Sequence, residues 1–334
     1  VRNIEQSNPL RSASNKIILT IESSVNISET SSIFIHGLSQ LEIDSSVEID
    51  ILVPQNFSLS FCDASNVMGR GAWNGQNLSL TLCEGHSIAR ATQLVIRFVV
   101  RNPHFAVDGS NVSISCIGNY VFLPALMRAS KEIRYGVVDG SIPLLIVIPS
   151  LQISVMNQSN PLTMASNLIH WTISAACDMP SGSSFTVTGL TGSRSQSSMF
   201  QLRRHDTIFN SSALWEVGNG TLTVFVVGDG LRAGFAYSLS FDILNGVRAQ
   251  AAPSVSSLFS VHSLEGMYDG KSDIECIETS KESIYSVPNG TQPLLLHKPQ
   301  FITAFISQTN PLASSSNEIS TNLSVDCDVI AGSS

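Results

Sequence analysis

The sequence predicts an all-β protein built from tandem domains. The motif QSNPL at residues 6–10 returns at residues 158–162 and, as QTNPL, at residues 308–312. A period of about 150 residues is the size of a whole domain rather than of a solenoid repeat. Charged residues make up 13% of the chain and hydrophobic ones 43%, and β-branched and small polar residues suit half-buried strands. The predicted fold class is therefore a series of Ig-like or Greek-key β-sandwich domains.

The recurring motif sets the predicted domain boundaries. Residues 1–150 form β-sandwich repeat 1, residues 151–300 form repeat 2, and residues 301–334 carry the first strands of a third repeat. About two strands bury too little surface to be stable alone. The third repeat is thus expected to be truncated or completed by a neighbouring chain.

Strand signals follow the same order in both complete repeats. Residues 16–21 and 33–35 of repeat 1 correspond to residues 168–173 and 185–187 of repeat 2. Residues 41–50 alternate between apolar and acidic side chains, which predicts strands with Leu41, Ile43, Val47 and Ile49 facing inward. Further strands are predicted at residues 57–61, 78–82, 94–100, 112–117, 144–148, 214–215, 222–227, 237–244 and 254–261. About seven or eight short strands per repeat indicate a β-sandwich.

The three QSNPL-type motifs, called anchors below, contain a proline that cannot donate to a strand ladder. Each anchor is therefore predicted to end one strand and turn the chain at a sheet edge. The segment from Pro143 to Pro149 recurs from Pro293 to Pro299 without a flexible Gly/Ser linker. Short, stiff joints between repeats are expected.

Several shorter motifs accompany the anchors, among them ASN at residues 13–15 and 165–167, TGLTG at 188–192, GTLTV at 220–224, RAG at 232–234 and APSV at 252–255. Together they resemble the long tandem β-sandwich repeats in extracellular proteins of unicellular algae and related protists. The resemblance covers nearly the whole chain and implies a large, glycosylated surface or fibril protein. Repeat 1 departs from the pattern at residues 35–39 (IHGLS) and 101–103 (RNP).

Asn-x-Ser/Thr sequons indicate a secreted glycoprotein, although in a chain this rich in serine some sequons arise by chance. The predicted glycosylation sites are Asn26, Asn56, Asn77, Asn111, Asn157, Asn210, Asn219, Asn289 and Asn322.

The chain has six cysteines and no C-x-x-C motif, so disulfides rather than zinc-ribbon sites are expected. Cys62 and Cys83 flank Trp73 and are predicted to pair. A second pairing, Cys177 with Cys276, would leave Cys327 to find a partner in the rest of its own repeat and Cys116 unpaired.

No other motif indicates a resident cofactor or a catalytic group. The histidines lack metal-ligand spacing, and no phosphate loop or nucleophile elbow is present. Asp269, Asp273 and Glu275 offer oxygen ligands for Ca²⁺ without the regular spacing of a calcium loop, which makes calcium a weak candidate. Charged patches of opposite sign could join neighbouring molecules; they comprise Glu42, Asp44, Glu48 and Asp50 against Arg194, Arg203 and Arg204.

Composition also excludes several partner classes. The net charge of −8 and the scattered basic residues give no footprint for nucleic acid, and the longest apolar run is too short to span a bilayer. The leading hypothesis is a non-enzymatic subunit of an extracellular, glycosylated fibre or surface appendage that assembles head to tail with copies of itself. The alternative is an adhesin or carbohydrate-binding module that presents residues 63–73, with Trp73, to a glycan.

Overall fold

The computed structural model describes residues 1–41, 48–53 and 61–328. Within them the protein is all-β and contains no helix. No described helix therefore has the length and apolar character that crossing a membrane requires.

Repeat 1 contains two facing sheets. One has the strand order β11-β1-β2-β8, and the other has the order β10-β9-β3-β7-β6-β4 with β5 also paired to β7. The strands are β1 (Arg2–Gln6), β2 (Ser14–Glu22), β3 (Ser32–His36), β4 (Glu48–Asp50), β5 (Phe61–Cys62), β6 (Arg70–Trp73), β7 (Asn77–Leu82), β8 (Gln93–Arg101), β9 (Ser113–Ile117), β10 (Val121–Leu126) and β11 (Arg128–Ala129).

Repeat 2 has the same plan, with sheet orders β16-β19-β13-β12-β23 and β15-β17-β18-β14-β20-β21, and with β22 paired to β20. In both repeats the first strand pairs in parallel with the last one, β1 with β11 and β12 with β23. The strands are β12 (Leu151–Gln158), β13 (Ser166–Ala175), β14 (Ser184–Thr188), β15 (Ser198–Gln201), β16 (Arg204–His205), β17 (Ser212–Glu216), β18 (Thr221–Phe225), β19 (Tyr237–Leu244), β20 (Ser256–Val261), β21 (Gly270–Lys271), β22 (Glu275–Cys276) and β23 (Glu278–Thr279).

A third, two-stranded sheet consists of β24 (Phe301–Gln308) and β25 (Ile319–Val325). These strands correspond to β1–β2 and β12–β13, because each pair flanks one anchor. Their apolar side chains are exposed, with Phe305 68% and Ile306 75% accessible. Completion of this hairpin by strands of a neighbouring chain stays a prediction.

Apolar side chains at alternate strand positions point inward and form a core between the two sheets of each complete repeat. In β2 the residues Ile17 and Leu19 are fully buried, while Lys16 and Ile18, which alternate with them along the strand, are half-buried, as the two-residue period of a strand requires. Leu41 and Ile49 are buried as predicted, whereas Ile43 and Val47 lie outside the described residues.

Among the described residues, the strand predicted at residues 144–148 is absent; of the strand predicted at residues 57–61, only Phe61 is described. Residues 144–148 form only isolated bridges, from Leu10 to Val147 and from Val107 to Ile146. Leu144 has a positive φ of 61°, which interrupts an extended strand. This apolar run instead packs beside the anchor at the end of the domain, and we call it the closing segment.

Candidate functional site at the joints between repeats

A buried network of amide side chains holds the first anchor. Nε2 of Gln6 donates to the carbonyl oxygens of Gly140 and Leu145, at 3.1 and 2.7 Å, and its Oε1 accepts from Nδ2 of Asn15 at 3.0 Å. Asn15 also donates to Asn102, which in turn donates to the carbonyl oxygens of Asn8 and Leu10. Because buried amides are costly unless they are paired, these residues fix the first and last segments of the domain to each other.

The network recurs in repeat 2. Gln158 donates to the carbonyl oxygens of Gly290 and Leu295, and Asn167 donates to Gln158 and Asn245 at 2.8 and 2.9 Å. In the third anchor, Asn317 donates to Gln308 at 2.9 Å. The anchors of repeats 1 and 2 are therefore more than edge bends, because their glutamine and asparagine side chains connect the first strands of the repeat to its closing segment.

The first anchor also packs into the following repeat. Leu10 and Ala13 are both fully buried and belong to the hydrophobic core of repeat 2. Leu10 lies directly against Gly270. A Cβ added to this glycine would be only 3.0 Å from the Cβ of Leu10. Burying a leucine side chain contributes about 1.5–3 kcal/mol, so this contact couples the two domains.

Polar contacts surround this apolar plug. The backbone N–H of Ser14 donates to the carbonyl oxygen of Tyr268 at 2.7 Å, and the N–H of Tyr268 donates to Oγ of Ser14 at 3.0 Å. The guanidinium of Arg101 lies 4.3 Å from the centre of the Tyr268 ring, a cation–π distance. Three further contacts are Arg11 to Asp273 at 2.7 Å, Lys16 to Glu265 at 2.5 Å and Oγ of Ser263 to the carbonyl oxygen of Ser14 at 3.0 Å.

On another part of the same joint, the N–H of Asp178 donates to the carbonyl oxygen of Tyr135 at 2.8 Å. Beside this contact is an apolar groove of about 290 Å³, lined by residues that include Val147, Ala176 and Cys177. Burial raises the pKa of the Cys177 thiol to about 12. The thiol is therefore protonated and unreactive in the folded protein.

The second joint uses the same backbone contact, because the N–H of Asp328 donates to the carbonyl oxygen of Tyr285 at 3.0 Å. Its side chains differ, since His297, Asp326 and Cys327 come together with one potential ligand atom each, all within 4.8 Å of one another. Burial raises the pKa of Cys327, and the N–H of Gln300 lowers the pKa of Asp326. The sequence did not predict this cluster, because the three residues meet only when the repeats are joined.

An apolar surface lies on the β9–β10 hairpin of repeat 1. We call it the hairpin face; its members, Ile117, Tyr120, Val121, Leu123 and Leu126, are 52–78% accessible. The corresponding hairpin of repeat 2, formed by β20 with β21 and β22, contacts the anchor of repeat 1. When the two hairpins are aligned by their strand registers, Ala125 of repeat 1 corresponds to Glu275 of repeat 2. Leu123, two residues earlier, then corresponds to Asp273.

The predicted disulfide between Cys62 and Cys83 is present and joins β5 to the end of β7. The predicted pairing of Cys177 with Cys276 is wrong, because both are free thiols. Cys177 is buried against the joint groove, whereas Cys276 is exposed on the short strand β22 in the opposite sheet. Cys116 and Cys327 are also unpaired among the described residues.

Trp73 is buried, with only 8% of its surface accessible. The hypothesis that it forms a platform for a glycan is therefore wrong. Trp73 pairs with Leu78 across β6 and β7, and Trp215 pairs with Leu222 in the matching strands of repeat 2. Both tryptophans are core residues.

Most described sequons lie on the surface. Asn26, Asn111, Asn219, Asn289 and Asn322 are exposed, whereas Asn77, Asn157 and Asn210 are half-buried. Asn56 lies outside the described residues. Glycosylation of all nine stays a prediction.

The predicted charge patches make contacts within their own repeats. Arg70 pairs with Glu48 at 2.8 Å and lies 3.8 Å from Asp50, and Arg203 pairs with Asp242 at 3.1 Å. Arg194 is exposed, while Glu42, Asp44 and the side chain of Arg204 are outside the described part of the structure. A role for these residues between subunits remains a prediction.

The three calcium candidates each have another partner. Oδ1 of Asp269 accepts from the N–H of Ser263 at 2.9 Å and lies 3.2 Å from Nδ1 of His262. Asp273 pairs with Arg11, and both carboxylate oxygens of Glu275 accept from the N–H of Leu151 at 3.1 Å. Calcium binding by this group stays an untested prediction.

No protein-family model matches the chain, and no curated protein matches it. Among solved structures, the chain is similar to the C-terminal domain of the Streptococcus pyogenes antigen I/II-family protein AspA. The TM-score is 0.34 at 8% identity, covering 83% of this chain and 98% of that one.

Two further solved structures are similar over most of the chain. The N-terminal domain of the Streptococcus gordonii adhesin Sgo0707 has a TM-score of 0.26 at 9% identity, covering 80% of this chain and 62% of that one. The collagen adhesin of S. aureus has a TM-score of 0.21 at 8% identity, covering 80% and 90%. The second and third of these are named as bacterial adhesins. The predicted resemblance to algal and protist repeats stays a prediction.

Proposed function

We propose that this protein is a non-enzymatic structural component of an extracellular, glycosylated fibre or surface appendage. Its β-sandwich repeats form a stiff rod, and rods assemble end to end. The proposal rests on the joint between repeats 1 and 2, where Leu10 and Ala13 of one repeat enter the core of the next.

The contacts of this joint support stiffness. Two domains connected only through a flexible linker would reorient freely. Here the buried plug, the two hydrogen bonds between Ser14 and Tyr268 and the Arg11–Asp273 ion pair lie apart from the covalent connection. Attachment at several points restricts both bending and twisting of the rod.

The hairpin face supports assembly. The matching hairpin of repeat 2 contacts the anchor of repeat 1, so this part of the sandwich is suited to contact between domains. In repeat 1 the same region is apolar and exposed, with Leu123 78% accessible. Contiguous exposed apolar surface marks interaction sites, and we assign a second copy of this chain as the partner that covers it.

The Cys62–Cys83 disulfide and the exposed sequons support an extracellular location. Disulfides persist in oxidising compartments, and N-linked glycans are attached to secreted proteins at accessible asparagines. Glycans at positions such as Asn26 and Asn219, both exposed, would shield strand edges and loops from unwanted pairing.

The assembly proposal is tested by replacing Leu123 with aspartate, the residue that repeat 2 has at the same position. Sedimentation velocity at rising concentration should show self-association of the wild-type protein, and electron microscopy should show filaments. Leu123→Asp should reduce association at least about tenfold, which corresponds to about 1.4 kcal/mol. The control is Val247→Asp in an exposed loop of repeat 2, where Val247 is 56% accessible; this variant should assemble normally.

A wild-type protein that remains a dispersed monomer at high concentration would contradict the assembly proposal. Equal assembly of Leu123→Asp and the wild type would show that the hairpin face is not the contact. Circular dichroism of both variants establishes that the fold is intact.

A second candidate function is that of an adhesin, favoured by the turn between Cys62 and Arg70. The carboxylate of Asp63 accepts hydrogen bonds from the N–H groups of Ser65 and Val67 at 2.9 Å, and the adjacent disulfide restrains the turn. Val67 and Met68 are 44% and 60% accessible, which gives a rigid apolar tip.

Binding of the protein to surface ligands, such as a panel of glycans and matrix proteins, tests this candidate. Loss of binding in Val67→Ser/Met68→Ser, with binding retained in Leu123→Asp, would favour the adhesin over the fibre subunit. Absence of binding to any member of the panel, together with filaments on the microscope grid, would favour the fibre subunit.

A further inference from the structure

The second joint carries a cluster of three different potential metal ligands. His297 lies in the segment that closes repeat 2, whereas Asp326 and Cys327 directly follow strand β25 of the third repeat. An imidazole, a carboxylate and a thiol thus meet across the boundary between two repeats, with one ligand atom of each within 4.8 Å of the others.

The first joint provides an internal comparison. Val147 and His297 form the same bridge, to Leu10 and Leu162 respectively. Ala176 and Asp326 make the same backbone hydrogen bond, to the carbonyl oxygens of Ser150 and Gln300. One backbone frame therefore carries Val147, Ala176 and Cys177 at the first joint and His297, Asp326 and Cys327 at the second.

The orientation of the side chains brings one ligand atom of each residue into the same small space. Oδ1 of Asp326 accepts from the N–H of Gln300 at 2.9 Å, which fixes the carboxylate and leaves Oδ2 facing His297. Nε2 of His297 is 3.1 Å from this Oδ2, is shielded from solvent, and forms no well-directed hydrogen bond within the described residues. Cys327 is 6% accessible, so its sulfur borders the same small space.

We propose that His297, Asp326 and Cys327 bind a zinc-class divalent transition metal ion and that this ion fastens repeat 2 to the third repeat. Mixed nitrogen, oxygen and sulfur donors suit Zn²⁺, whereas Ca²⁺ and Mg²⁺ prefer oxygen donors alone. With bonds of about 2.0–2.3 Å, the ligand atoms need only small side-chain rotations to reach one ion. The Cys327 thiol releases its proton to solvent on binding, and three protein ligands leave a fourth position for water.

This site would link the repeats by a different chemistry from the first joint. There, the groove beside Cys177 is apolar, and the lone thiol lacks the two neighbouring donors. The metal site does not depend on the proposed fibre function, because it concerns only one joint within one chain.

Cobalt titration of the whole chain under reducing conditions tests the proposal. One equivalent of Co²⁺ should produce visible d–d bands and a near-ultraviolet thiolate-to-cobalt charge-transfer band, and Zn²⁺ should displace both. The double variant His297→Val/Asp326→Ala carries the residues of the first joint and should fold normally. It should bind at least about 100-fold more weakly, because even the loss of outer-shell partners costs about 10–100-fold.

Two further variants sharpen the result. Cys327→Ser should abolish the charge-transfer band, and His86→Ala, at a histidine far from the joint in sequence, should bind cobalt like the wild type. Val147→His/Ala176→Asp should install a second, similar site at Cys177. The proposal is wrong if the wild type gives no charge-transfer band, or if His297→Val/Asp326→Ala retains it at unchanged affinity.

Discussion

At the scale of single residues, Gln6 and its equivalent Gln158 are buried, which is unusual for amide side chains. Gln6 is fully buried and uses both ends of its amide. Its partners are Asn15 in strand β2 and the backbone of the closing segment of the same repeat. An amide can join the two because it offers donors and acceptors at the same time.

Replacing Gln6 with alanine should therefore destabilise repeat 1. Loss of the side chain leaves the carbonyl oxygens of Gly140 and Leu145 and the N–H of Leu144 without their partner, at about 1–3 kcal/mol each before any relaxation. We expect a loss of about 2–4 kcal/mol, measured by urea unfolding. The matched control is Gln308→Ala, at the same motif position but exposed, which should change stability by less than about 0.5 kcal/mol. Equal effects of the two substitutions would contradict the role of burial.

The sequence predicted the recurrence of this glutamine but not its role. Asn15 and Asn167 were visible in the ASN motif that follows each anchor. Asn102 and Asn245 are structural equivalents in the network, yet they were missed because their flanking residues differ, RNP against LNG. Identity at one position without identity around it is a weak signal in a single sequence.

At the scale of structural elements, strict alternation predicted the long strands well. β2, β7, β8, β13 and β19 lie where apolar residues alternate or run together. β10 was missed because Pro124 argues against a strand, but the ladder shifts register between Phe122 and Ala125 and so accommodates the proline. The short strands β11 and β23 carry no periodic signal, since two residues are too few for alternation to be visible.

The disulfide between Cys62 and Cys83 should stabilise the group of strands around β5, β6 and β7. It closes a loop with a sequence separation of 21 residues, and cross-links of this length contribute about 3 kcal/mol, chiefly by restricting the unfolded chain. Cys62→Ser/Cys83→Ser should lower the melting temperature of repeat 1, measured by calorimetry. Cys276→Ser, at an exposed free cysteine, should leave it unchanged, and a double variant as stable as the wild type would contradict the prediction.

At the scale of the whole molecule, the joint between repeats determines how the two complete repeats are held relative to each other. The sequence predicted short joints from the spacing of Pro143 and Pro149. It did not predict that Leu10, which is remote from that link in sequence, would enter the core of repeat 2. Contacts between repeats depend on which loop of one sandwich reaches the next, and a single sequence does not contain that information in a readable form.

Leu10→Asp should loosen the first joint, because an aspartate in the core of repeat 2 would be buried without a counter-charge. Small-angle X-ray scattering should show a broader distribution of particle lengths, while circular dichroism remains that of folded β-sandwiches. Leu312→Asp is the matched control, since Leu312 occupies the same motif position and is 70% accessible. An unchanged scattering profile for Leu10→Asp would show that the covalent link alone sets the geometry.

The Arg11–Asp273 contact limits how such a chain can gain or lose repeats during evolution. Repeat 1 has Arg11 directly after its anchor and Leu123 on its hairpin, so two copies of repeat 1 placed in series would set a guanidinium against an apolar surface. Repeat 2 has Thr163 where repeat 1 has Arg11, so its anchor presents a different surface to the domain that follows. Duplication or deletion of a single repeat would therefore create a mismatched junction. The order of the domains is therefore constrained by the surfaces that meet at each joint. A rearrangement of repeats preserves a joint only if it keeps both of the surfaces that form it.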